Sequence, residues 1–137
     1  MIRCATLLTA AAYLFFGTAT PAQDKADAGV SLKGSVDDLT LQDKAPKSGV
    51  VVSAAGWKTL QEVWGIKDAP KLDFGKTILV VATTRGSQLK LTPRVTNGDL
   101  KVLAISTRDL RPGFRYAIES VSRDGVKSVN GQPLPKE

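Results

Sequence analysis

The chain has 137 residues, 42% of them hydrophobic, a formal charge of +6 at neutral pH, one cysteine and no histidine. With no histidine and only Cys4, Ser-His-Asp and Cys-His catalysis and the usual zinc ligand sets are excluded. The length suits a single domain behind a leader, large enough to bury a core without covalent staples.

Arg3 supplies a positive start, and Ala5 to Phe16 follows as an apolar run of about a dozen residues. Small residues then offer cleavage after Ala22 (Thr20-Pro21-Ala22) or after Ala19 (Gly17-Thr18-Ala19). The run is shorter than the ~20 residues that span a bilayer. Residues 1–22 therefore read as a signal peptide, with an uncleaved anchor as the alternative. Cys4 lies before the apolar run, whereas a lipoprotein cysteine would follow it. The expected mature chain is exported, periplasmic or secreted, with no cysteine and no transmembrane span. A disulfide-free exported domain points to a bacterial source.

Residues 23–48 are polar and read as a tether. Within them Val30-Ser31-Leu32-Lys33 and Leu39-Thr40-Leu41 alternate weakly, as short edge strands do. Asp37, Asp38 and Asp43 lack the spacing of a calcium loop and read as a solvated acidic face.

From Gly49 the pattern strengthens. Val50 to Val52 is a short strand, and Ser53 is placed to cap a helix, with Val52 positioned to staple against Trp57. Trp57, Leu60 and Trp64 recur on one face, widened by Val63, while Lys58, Thr59, Gln61 and Glu62 face away. Two tryptophans on one stripe fit an aromatic ligand platform or a core under a sheet, and helical spacing favours the core. Gly65 suits a left-handed helix end that folds Ile66 back on Leu60, and Pro70 blocks a restart. After the turn Asp73-Phe74-Gly75, the run from Thr77 through Ile78 and Val80 to Ala82 is apolar without alternation, the mark of a strand covered on both faces. Gly75-Lys76-Thr77 resembles the end of a phosphate-binding loop, but Pro70 stands where the first glycine belongs and a strand follows.

The later strands are expected to pair with that apolar one. Leu89, Leu91 and Val95 alternate with Lys90 and Arg94, and Pro93 places this strand at an edge or a bulge. Asn97-Gly98 is a strong hairpin signal, leading to a return strand that begins with Leu100, Val102 and Ala104. The loop Thr107 to Gly113 precedes a strand over 114–122, with Tyr116 and Ile118 inward or against the helix. Asp124-Gly125 and Asn130-Gly131 turn the remainder. Residues 49–137 thus read as one α+β domain, a mostly antiparallel β-sheet with one short amphipathic helix packed on it.

The succession VVVSAAGWKTLQEVWG, PKLDFGKTILVVATTRG and an alternating hairpin resembles the PrcB C-terminal domain family over about residues 49–122. That family takes its name from a subunit of a bacterial surface protease complex. Where its members often carry a Gly-Gly-Tyr-like stretch, this chain has Ser87-Gln88-Leu89-Lys90. The resemblance implies an exported accessory or protein-binding module. Its partner would be a protein of the cell envelope. The residue set, without histidine and without a cysteine in the expected mature chain, is read separately as no enzyme, with no cofactor or metal.

Charge adds a separate expectation. Basic residues concentrate in the second half, and Arg108, Arg111 and Arg115 cluster around one loop, with Lys90 and Arg94 on a polar strand face. Such a face suits an acidic protein, an anionic polymer or lipid headgroups, and equally a solvated surface. Nucleic acid is not expected in an exported compartment. The arginines of the loop would alternatively pair with Asp109 or Glu119.

Overall fold

The computed structural model describes residues 29–136. The leader expected over 1–22, with its bonds after Ala19 and Ala22, lies outside the described residues.

Strand β3 (Thr77–Thr84) is central, and its apolar run is divided between two cores by strand alternation. Ile78, Val80 and Ala82 face one side, Leu79 and Val81 the other. Its two edges are occupied by β2 (Val50–Val51) and β6 (Phe114–Ser122), and β1 (Ser31–Val36) adds outside β6. Every pairing in this first sheet is antiparallel.

β6 pairs along the whole of β3 and β2 takes its other edge at Leu79 and Val80, and the next hairpin does not extend the sheet. Strands β4 (Leu89–Thr96) and β5 (Asp99–Ser106) instead fold across the sheet face, with β7 (Ser128–Val129) and β8 (Gln132–Pro133) alongside. The expectation that all later strands pair with β3 is thereby corrected: of these only β6 does. Asn97 and Gly98 both have positive φ, so β4 and β5 are joined by a two-residue turn of the primed type. That register directs the ladder bonds of Thr96, Arg94, Thr92 and Lys90 toward β5 and leaves the missing N–H of Pro93 on the open side of an edge strand.

Helix α1 (Ala54–Trp64) covers the other face of the first sheet. Ser53 Oγ accepts from the Gly56 amide at 3.0 Å, and Gly65 ends the helix at φ 63°. Trp57, Leu60 and Trp64 are its buried residues, so the tryptophans are core. Val52 does not staple to Trp57. As the third residue of an alternating run it points with Val50 into the core between the sheets, while Val51 faces the helix.

Part of the stretch read as a tether belongs to the fold. Strand β1 lies at an edge as expected, with Leu32 and Val36 in the helix-side core. Leu39-Thr40-Leu41 is not a strand but the start of a 3₁₀ helix, Leu39–Lys44. Asp38 caps it, its carboxylate accepting from the Thr40 amide at 2.9 Å and hydroxyl at 2.6 Å. Leu41 packs inward and its carbonyl accepts from the Trp64 indole at 2.9 Å, which fixes the helical turn in place.

The molecule is therefore α+β, mostly antiparallel, with three layers: helix, sheet and second sheet. The two cores differ in kind. Trp57, Trp64, Phe74, Phe114 and Tyr116 all lie on the helix side, while the inter-sheet core is aliphatic. Arg123 closes one end, its guanidinium donating to the carbonyls of Val52 at 3.2 Å and Phe74 at 2.7 Å. This arginine of the basic second half is a fastening within the fold.

Candidate functional site

The loop between β5 and β6 is tied down rather than free. Asp109 accepts from the Ser87 amide at 2.9 Å and hydroxyl at 3.1 Å, and its other oxygen accepts from Arg111 Nε at 3.0 Å. The Thr107 hydroxyl accepts from the Gln88 amide, and the Arg111 amide donates to the Arg85 carbonyl. The loop and the β3–β4 connection thus form one bonded unit. Arg111 is engaged with Asp109, whereas Arg108 stays exposed and makes no ion pair among the described residues.

These bonds hold the Asp109 carboxyl well below the usual carboxylate range, the Ser87 amide first and then the Thr107, Ser87 and Arg111 side chains. A carboxyl depressed in the folded state contributes stability above its unfolded pKa of about 4 and loses it as pH falls through the folded value. The Ser87 amide resonance of the native protein is therefore expected to hold its position well below pH ~4. Asp109→Asn should move that resonance at neutral pH. An unmoved resonance in the variant, or a native resonance that titrates like a free carboxylate, would show the loop to be untied.

The outer face of the β4–β5 hairpin carries the second group of expected residues. Lys90 stands opposite Ile105, Thr92 opposite Leu103 and Arg94 opposite Lys101. Leu91, Leu100 and Val102 turn inward, which leaves Leu103 56% and Ile105 58% exposed between the cations. Val95, expected inward with Leu89 and Leu91, is 45% exposed although Leu100 opposite it is fully buried, because β4 is the edge strand of its sheet. Leu110, on the neighbouring loop, is exposed as well.

Arg115 and Lys90 both line a cleft of about 700 Å³ between the edge of the first sheet and the start of the hairpin. Arg115 pairs with Ser35 and Lys33 with Ala117, and Ala117 faces the inter-sheet core, so Arg115 and Lys33 share that face. Leu89, Ser106, Thr107 and Tyr116 also line the cleft. The Tyr116 ring lies over Gly34, where a Cβ would overlap it, and stacks on Trp64 with centroids 5.2 Å apart. Burial raises the Tyr116 pKa. Arg115 Nη1 is buried with no hydrogen-bond partner.

Comparison of the chain with protein-family models, with curated proteins and with solved structures finds no match. The geometry itself regroups the expected residues. Arg115 and Lys90 line one cleft, Arg94 lies further along the hairpin face opposite Lys101, and Arg108 and Arg111 stay on the loop. Lys33, Leu103 and Ile105 were not singled out in the sequence. Leu103 and Ile105 carry a readable signal, since they are apolar out of phase with Leu100 and Val102. Lys33 carries none, because its place beside Arg115 depends on the pairing of distant strands. Among the described residues, no three carboxylates gather to hold a metal, and no helix is long and apolar enough to cross a membrane.

Proposed function

We propose that this is an exported, non-enzymatic protein-interaction module, an accessory subunit of an envelope or surface protease complex as the resemblance to the PrcB C-terminal domain family implies. The observation that supports it is the outer hairpin face, where Leu103 and Ile105 stand exposed among Lys90, Arg94 and Lys101. Scattered exposed hydrophobic residues are ordinary on a protein surface, but two adjacent on one strand face, rimmed by one sign of charge, form a patch. Its complement is a protein surface that is apolar at the centre and acidic at the rim.

Crosslinking in the native envelope, with identification of the captured protein, tests the reading. One protein with an acidic contact surface is expected, and capture should persist at high salt because the contact has an apolar centre. The double change Leu103→Asp, Ile105→Asp replaces exposed side chains, so folding should move by no more than about 0.5 kcal/mol per site, while capture is lost. Capture unaffected by the double change would overturn the assignment of the face. Capture that falls away steeply with salt would favour an anionic polymer or lipid surface instead.

A further inference from the structure

We propose that the cleft formed by Lys33, Lys90 and Arg115 is a binding site for a phosphate-class oxyanion, either a soluble phosphate ester or the headgroup of an anionic phospholipid. The site shares Lys90 and Ile105 with the margin of the hairpin face but does not depend on the protein-docking reading of that face.

The first ground is the arginine. A buried charged donor is nearly always matched by an acceptor, because burial removes the water that would otherwise satisfy it. Arg115 Nη1 is buried and has no partner within the protein. Its strand position explains why. On β6 it lies between Thr84 of β3 and Ser35 of β1, and neither neighbour supplies a carboxylate.

The second ground is the company it keeps. Lys33 from β1 and Lys90 from β4 line the same cleft, and no aspartate or glutamate does. Neither lysine makes an ion pair among the described residues. The carboxylate bound by the Ser87 amide and hydroxyl belongs to Asp109, which is paired with Arg111. Three cations from three strands with no internal counterion exceed the charge of a lone carboxylate and suit a dianion. The guanidinium presents a planar fork that matches two oxygens of a phosphate, with the ammonium groups as point charges beside it.

The third ground is the wall. Ser106 and Tyr116 add hydroxyl groups, while Leu89 and Ile105 supply apolar surface at the same opening. Ile105 continues into the exposed strip with Leu103, so an anion attached to an apolar body, as in a phospholipid, would lay that body along the hairpin.

The test uses the full-length protein and two probes, inorganic phosphate and vesicles of phosphatidylglycerol, with chloride at matched ionic strength and phosphatidylcholine vesicles as controls. Amide and arginine side-chain resonances of residues 33, 90, 106 and 115 report phosphate binding, and cosedimentation reports vesicles. Saturable shifts confined to the cleft are expected with phosphate, with affinity at least about tenfold lower in Arg115→Met. Arg115→Met should keep or raise the melting temperature, since it replaces a half-buried guanidinium whose Nη1 has no partner by an apolar chain. Should that variant fail to fold, Lys33→Gln with Lys90→Gln, both on exposed side chains, gives the same readout. Saturable phosphate binding without vesicle binding assigns a soluble ester. Vesicle binding that requires Arg115 assigns a headgroup. Shifts that match chloride, shifts indifferent to both sets of variants, or no binding of either probe overturn the site. Loss of the protein crosslink in Leu103→Asp alone, with phosphate binding intact, would separate the two surfaces, since Leu103 does not line the cleft.

Discussion

Trp64→Ala is expected to destabilise the protein by about 3–5 kcal/mol, the range for a large buried aromatic cut back to a methyl. Trp64 is 5% exposed, meets Phe114 edge-on at 5.4 Å and stacks on Tyr116 at 5.2 Å. Its indole N–H also donates to the Leu41 carbonyl, so the substitution removes the peg that holds the 3₁₀ helix against α1. Trp57→Ala removes a ring of the same size, but the Trp57 indole nitrogen is buried without a partner, so no hydrogen bond is lost with it. Trp64 should therefore be the more sensitive of the two. Denaturant unfolding of both variants, with Trp64→Phe alongside, measures the difference. Trp64→Phe should recover most of the packing and lose about 1 kcal/mol for the hydrogen bond. Unchanged unfolding of Trp64→Ala would remove Trp64 from the core.

Gly113→Ala should be nearly as damaging, for a different reason. Gly113 has φ 66°, a conformation that costs an L-residue about 1–2 kcal/mol. A Cβ there would also run into the Val36 carbonyl oxygen and stand 2.8 Å from Asp37 Cα. Backbone cannot move aside as a side chain does, so overpacking adds about 1–3 kcal/mol. The strain falls where β1 meets the start of β6, and hydrogen exchange should show β1 loosening first. Gly125→Ala is the control, with φ 72° and nothing within 4 Å of its Cβ. It should show the conformational cost alone. Equal destabilisation at the two glycines would mean that β1 does not press on Gly113.

The helix, its caps, the doubly covered strand β3 and the turns at 97–98 and 130–131 were legible because each depends on neighbours in sequence. Ser53 and Gly65 mark the helix ends through local backbone geometry, and Thr77–Thr84 shows by its lack of alternation that both faces are covered. The sheet order was not legible. Whether the hairpin joins the edge of β3 or crosses its face depends on β6, which takes that edge from more than thirty positions away. The 3₁₀ helix was missed for the same reason, since Leu41 is fixed by Trp64 and not by its own alternation. Of the expected basic residues, Arg111 was recognisable as a partner for Asp109, two positions away. The placing of Arg115 and Lys33 on one sheet face required strand register that local pattern does not carry.

The division of the cores by residue type makes the molecule half visible to ultraviolet light. Every described aromatic side chain lies between the helix and the first sheet, so tryptophan emission and near-ultraviolet dichroism report that layer alone. Release of the second sheet would expose aliphatic side chains and only the cleft side of Tyr116, and would leave tryptophan emission near its native value. An optical melting curve of this protein therefore times the departure of the helix, and amide exchange in β4 and β5 is the measurement that registers whether the hairpin left earlier.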